Sequence, residues 1–241
     1  MTKLLRRLPR ASFFFLMFAG WAFILVSSLG YFDFSQVPAF MLEKLPLRHE
    51  TLWLFSLRVH VAAALLSLPL CTLLMTRAFQ RRAALHRWLG RASGMVVLFA
   101  LVPSGVVLAF DAKGGRLVTA GFLLSGAIVL WSGVRGISSA RKRDLVTHRR
   151  MMRHLFAQMT VAVTSRAMLI GFDALRVDPL TAYVVALWAP VLASAAVAEL
   201  ASPTTRNAII ALSKRIFREI PRLALVVRAR SVGRPLARAG R

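Results

Sequence analysis

The amino-acid sequence predicts an all-α membrane protein, a polytopic bundle of about six transmembrane helices with both the N- and C-termini cytoplasmic. Three observations lead there: the apolar content, six long apolar stretches, and basic residues that gather on one side of those stretches. Of the 241 residues, 57% are hydrophobic and the mean hydropathy is +0.63. A soluble domain is roughly 45–50% apolar, so the excess points to lipid as the solvent.

A helix rising about 1.5 Å per residue needs roughly 20 apolar residues to cross a hydrocarbon core about 30 Å thick. Residues 13–30 form the first such stretch, behind Lys3, Arg6, Arg7 and Arg10. A basic start and Ser28-Leu29-Gly30 resemble a secretory signal, but the run exceeds the roughly 7–15 residues of a signal core, so an uncleaved span is expected. Residues 52–75 form the second span, in which Ser56, His60, Ala63, Ser67 and Cys71 fall on one face at 100° per residue. Residues 92–110 form the third. Residues 117–134 form the fourth, where Gly121, Ser125, Ser132 and Gly136 make a ridge smooth enough for close helix contact. Residues 155–172 and 180–200 complete the set. Pro69, Pro103 and Pro190 are expected to kink their helices. The five tryptophans (Trp21, Trp53, Trp88, Trp131, Trp188) fall mostly toward span ends, as interfacial anchors do.

The charges orient this bundle. Net charge is +24, which by itself would admit nucleic acid as a partner. Twenty-six of the 33 basic residues, however, lie before span one, between spans two and three, between spans four and five, or after span six. Those four segments share one side of a six-span chain, and the positive-inside rule makes that side cytoplasmic. Few aromatics alternate with the basic residues, so no nucleic-acid partner is expected. The expected location is the bacterial cytoplasmic (inner) membrane, with the lipid bilayer as first partner. Residues 1–202 form the transmembrane domain in this reading, and residues 203–241 form a basic tail. In that tail Ile209, Leu212, Ile216 and Ile220 share a helix face opposite Lys214, Arg215, Arg218 and Arg222, a pattern suited to anionic lipids.

With Cys71 as the only cysteine, no intramolecular disulfide and no CxxC metal or redox motif is possible, and no HExxH metal motif occurs. No metal site is expected. The histidines are more informative. His60 lies about nine residues below the far end of its span, about 14 Å deep, where an ionisable group is expensive. The packing alternative for it is a neutral imidazole bonded to a carbonyl or serine of another span. His86 opens span three in Leu85-His86-Arg87-Trp88-Leu89-Gly90-Arg91, and His148 opens span five in His148-Arg149-Arg150-Met151-Met152-Arg153-His154. On span five, His148, His154, Gln158, Ser165 and Arg166 fall within one arc of about 120°, which suggests an interior cavity. Arg58 is expected to snorkel to the headgroups, and His49 to be solvated in an outer loop.

The two histidine-led entries make the chain similar to a bacterial family of predicted integral membrane proteins, domain of unknown function 2306. The resemblance spans roughly residues 60–200. It consists of His60 in an early span, the His86, Arg87, Gly90, Arg91 entry, the His148, Met152, Arg153 entry, and Arg166 further along. It implies the topology and the choice of residues, and it implies no reaction.

Three functions compete. The first is a small-ligand site, for a quinone, an anion or a proton, lined by His60, Gln158, Ser165 and Arg166. The second is a redox role in which His86 and His148 ligate haem b and the neighbouring arginines pair its propionates. The third is a structural or assembly subunit whose polar groups serve packing. With no acidic cluster, nucleophile motif or phosphate loop, the sequence leaves enzymatic activity undecided and oligomeric state unspecified.

Overall fold

In the computed structural model the described residues are 8–33, 47, 49–202, 205, 207, 210 and 211, with side chains from residue 11 onward. The expected amphipathic face of the tail and the basic residues before residue 8 lie outside them. The described residues are helical, without a strand, and six helical segments among them are long and apolar enough to cross a membrane. The elements in chain order are α1 (Leu8–Ser28), continued by a tight turn at Leu29–Phe32, then α2 (Glu50–Leu74), a short α3 (Arg77–Arg81) and α4 (Ala83–Val96). A five-residue π-turn (Val97–Leu101) joins α4 to α5 (Val102–Phe110), so that Ala83–Phe110 is a single rod. They are followed by α6 (Gly115–Arg141), α7 (Leu145–Ala174) and α8 (Pro179–Leu200). The chain divides into two compact units between Ala198 and Glu199, and the first carries both sites described below.

Three helices outrun their apolar stretches at the arginine-rich end. The α4 rod begins at Ala83, α6 continues to Arg141 and α7 begins at Leu145, where hydropathy places those boundaries near residues 92, 134 and 155. Arginine is a good helix former and helical hydrogen bonds are local, so the backbone continues where hydrophobicity stops. Between α6 and α7 the turn is made by Arg143, which takes a left-handed conformation (φ 61°). The Asp144 N–H bonds Ser139 O at 2.9 Å and the Arg143 N–H bonds Ala140 O at 3.1 Å, closing the end of α6. Asp144 then caps α7 by accepting from the Thr147 N–H at 3.0 Å. Hydrogen bonds from the Thr147 side chain and backbone hold its carboxyl below the usual aspartate range. Asp178 caps α8 in the same way, through the Thr181 backbone and hydroxyl.

The small-residue faces pack as the sequence indicates. On α2, Ser56, Ala63, Ser67 and Cys71 are buried, and His60 between them is half-buried. On α6, Gly121, Ser132, Gly133 and Gly136 are buried. A Cβ at Gly121 would stand 2.7 Å from Leu187 of α8. One at Gly133 would lie between Leu98 and Leu155, and one at Gly136 would strike Met152. The central core joins Ala63, Leu68 and Cys71 of α2 to Val97 and Leu101 of the π-turn, Val129 of α6, and Leu155, Phe156 and Met159 of α7.

Pro69 acts through the carbonyl it leaves without a helical partner. Pro69 has no N–H to return to Leu65 O four residues back. That carbonyl instead accepts from the indole of Trp21 in α1 at 2.9 Å. Trp188 likewise donates to Leu117 O of α6 at 3.2 Å, and Trp53 is 2% exposed. Two of the five tryptophans therefore bond across helices and a third is buried, while Trp88 (66% exposed) and Trp131 (55%) remain at the surface.

Candidate functional site

Two groups of polar side chains gather at different depths along the bundle. The first is built around the π-turn. There the helical register opens by one residue, with the Val102 N–H bonding Val97 O, and Pro103 follows directly. Insertions of this kind recur at functional sites. His60 of α2 faces the turn, its Nδ1 3.0 Å from Leu101 O and 3.2 Å from Ser104 Oγ. The Ser104 hydroxyl already donates to Ala100 O at 2.5 Å. A carbonyl only accepts, and the serine has no second hydrogen, so Nδ1 carries a proton, and in the neutral ring Nε2 is then the acceptor. Gly105 makes the approach possible: a Cβ there would stand 3.0 Å from His60 Cε1 and 3.2 Å from Nδ1.

Arg166 of α7 belongs to the same group. Its Nη1 donates to Ala162 O at 2.9 Å. Ala162 lies one turn toward the arginine-rich end, so the guanidinium folds back along the membrane-spanning helix, whereas a snorkelling arginine would extend to the nearer surface. It is exposed on the isolated chain and stands within electrostatic range of His60, Tyr31 and Tyr183. No carboxylate pairs with it among the described residues. Arg58, expected at the headgroups, is half-buried and donates through Nε to Tyr31 O at 3.0 Å, tying the end of α1 to α2. His49 is exposed at the start of α2, as expected.

The second group stands at the arginine-rich end, where α6 lies between α4 and α7. Gly133 of α6 touches Leu98 on one side and Leu155 on the other, and Gly94 of α4 abuts Ile137. The histidine entries flank the last turns of α6. His148 Nδ1 donates to Gly136 O at 2.9 Å, so Nδ1 is occupied by that bond and Nε2 is the nitrogen left for another partner. His86 is within electrostatic range of His148, and its Nδ1 is buried with no hydrogen-bond partner among the described residues. His154, six residues along α7 from His148, is buried.

Gln158 belongs to neither group. It is 3% exposed, accepts from Ser125 Oγ of α6 at 2.9 Å, and donates to Val191 O at 3.1 Å and Ser194 Oγ at 3.0 Å of α8. Its amide clamps three helices together. Ser165 bonds Val161 O within its own helix. The polar arc of α7 therefore does not line one cavity. Its residues are divided between the surroundings of Arg166, a packing clamp at Gln158 and the surroundings of His148. Sequence reasoning left Tyr31, Tyr183, Ser104 and Gly105 out of the site, and the run Pro103-Ser104-Gly105 was the signal that marked an irregular turn.

A family model described as Predicted membrane protein (DUF2306) matches residues 57–202, more than half of the chain. This chain belongs to the DUF2306 family. No curated protein and no solved structure matches it. The matched region of this DUF2306 protein contains His60, His86, His148, His154, Gln158 and Arg166. Tyr31 and Trp21, which reach the bundle from α1, lie outside it.

Proposed function

We propose that this DUF2306 protein binds a small, membrane-dissolved ligand of the quinol class between His60 and Arg166. The observation that carries the reading is the fixed tautomer of His60. Its Nδ1–H is committed to Leu101 O and Ser104 Oγ, so the ring meets a ligand as an acceptor and selects one with a hydroxyl to donate. Arg166 supplies the complementary donors for a ligand oxygen, and the apolar surroundings of a membrane-spanning helix strengthen a contact to either side chain. A proton delivered by the ligand to His60 Nε2 would be a natural step of quinol chemistry. A packing role for these residues has one observation in its favour: the neighbouring Gln158 serves packing alone.

Quenching of tryptophan fluorescence by a short-chain ubiquinol or menaquinol, in nanodiscs, separates the two readings. His60→Leu, His60→Phe and Arg166→Gln are each expected to weaken binding about tenfold or more, which is about 1.4 kcal/mol. Thermal stability should change little, because a polar contact between membrane helices averages about 0.6 kcal/mol. Wild-type affinity in all three variants, no saturable binding by the wild type, or stability that falls in step with binding would each defeat the quinol reading.

The same proposal places the arginine-rich end in the cytoplasm of a bacterial inner membrane, on the strength of the charge bias, with anionic lipids held at that face and by the basic tail. Topology reporters fused after Arg10, between residues 77 and 87, between residues 141 and 150, and at the C-terminus are all expected to read cytoplasmic. A periplasmic signal at any one of them breaks the orientation.

A further inference from the structure

The arginine-rich end carries a second pair of imidazoles that the His60 site does not use. His86 is the fourth residue of α4 and His148 the fourth of α7, so the two rings enter the bundle at the same level of their helices. Small residues keep these helices close to α6: a Cβ at Gly94 of α4 would stand 3.1 Å from Ile137, one at Gly133 of α6 would meet Leu98 and Leu155, and one at Gly136 would stand 3.2 Å from Met151 Cβ.

His148 has the orientation expected of a metal-ligating histidine. Its Nδ1–H is held by a backbone carbonyl, Gly136 O at 2.9 Å, which sets the ring and leaves Nε2 as the ligating atom. His86 stands within electrostatic range of it and has no hydrogen bond to Nδ1 among the described residues, so no such bond holds its ring away from a ligand. The number of ligands decides the kind of metal. No group of three or more His, Cys, Asp or Glu side chains converges among the described residues, and two imidazoles are too few for a bare zinc ion, which needs three or four protein ligands. Two suffice for an iron whose other four ligands come from a macrocycle. Such a macrocycle carries carboxylates, and Arg87 and Arg149, each adjacent in sequence to one of the histidines, are exposed and suited to pair with them.

We infer that His86 and His148 form a second site, which ligates the iron of a b-type haem as a bis-imidazole pair at the arginine-rich end. The site is independent of the His60–Arg166 site, since His148 and Arg166 are 18 residues apart on α7, about 27 Å along the helix.

The test is the visible spectrum of the full chain, expressed in cells supplied with 5-aminolevulinate and purified in detergent. A Soret band is expected, together with α and β bands on reduction by dithionite, at about one haem per chain. His86→Ala and His148→Ala should each lower haem content more than tenfold. His86→Met and His148→Met should retain haem with shifted bands, and His60→Leu should keep the wild-type spectrum. A colourless wild type, from cells that load a control cytochrome b, overturns the inference. So does wild-type haem content with an unchanged spectrum in both alanine variants. Should the alanine variants aggregate, the methionine variants decide: unchanged band positions in both overturn it.

Discussion

Replacing Gly121 by leucine is expected to destabilise the bundle by about 3 kcal/mol or more, while the same replacement at Gly126 stays within about 0.5 kcal/mol. The two positions are five residues apart on α6, so helix propensity and hydrophobicity change equally. They differ in what a side chain meets. At Gly121 a Cβ alone stands 2.7 Å from Leu187 Cδ2, 3.1 Å from Leu187 Cγ and 3.2 Å from Trp188 Cε2, whereas at Gly126 nothing lies within 4 Å. A leucine at Gly121 must push α8 away, which strains the Trp188–Leu117 bond that ties α8 to α6 and the Gln158–Val191 bond that ties it to α7. In lipid no hydrophobic force restores the contact, because the tails solvate the separated faces equally well. Thermal unfolding in detergent measures both variants. Equal midpoints for the two would show that α6 and α8 do not meet at this ridge.

Gln158→Glu should be the most damaging single-atom exchange in the bundle. Gln158→Leu removes three bonds between helices and is expected to cost about 2 kcal/mol, at about 0.6 kcal/mol for each. Glutamate is isosteric, but in place of the Nε2 that donates to Val191 O at 3.1 Å and Ser194 Oγ at 3.0 Å it sets an oxygen against a carbonyl. When ionised it also buries a charge without a partner, and the loss should exceed that of the leucine variant by several kcal/mol at pH 7. A protonated carboxyl is neutral and keeps one donor, so the deficit of the glutamate variant is expected to be smallest in acid and to grow as the carboxyl ionises. Unfolding of Gln158→Glu across pH 4 to 8, beside Gln158→Leu, provides the measurement, and a pH-independent deficit equal to that of leucine would show that the side chain faces water.

Six spans were legible because hydropathy is a local property: about 20 apolar residues must lie in lipid whichever neighbours they find. The small faces of α2 and α6 were legible for a related reason, since a face is fixed by 100° per residue once the segment is helical. Helix ends at the arginine-rich side were not, because hydrogen bonding continues past the point where hydropathy falls. The single cavity expected on α7 failed for a geometric reason. Projection down a helix axis keeps angle and discards height, so His148, Gln158 and Arg166 share an arc although His148 and Arg166 lie about 27 Å apart. Only tertiary structure decides which helix stands opposite each of them. It places Leu101 O and Ser104 against His60, Ser125, Val191 and Ser194 around Gln158, and Gly136 O against His148. Those pairings set the tautomers of two histidines and commit Gln158 to packing. They depend on carbonyls from elsewhere in the chain, and no local pattern in the sequence records which carbonyl will arrive.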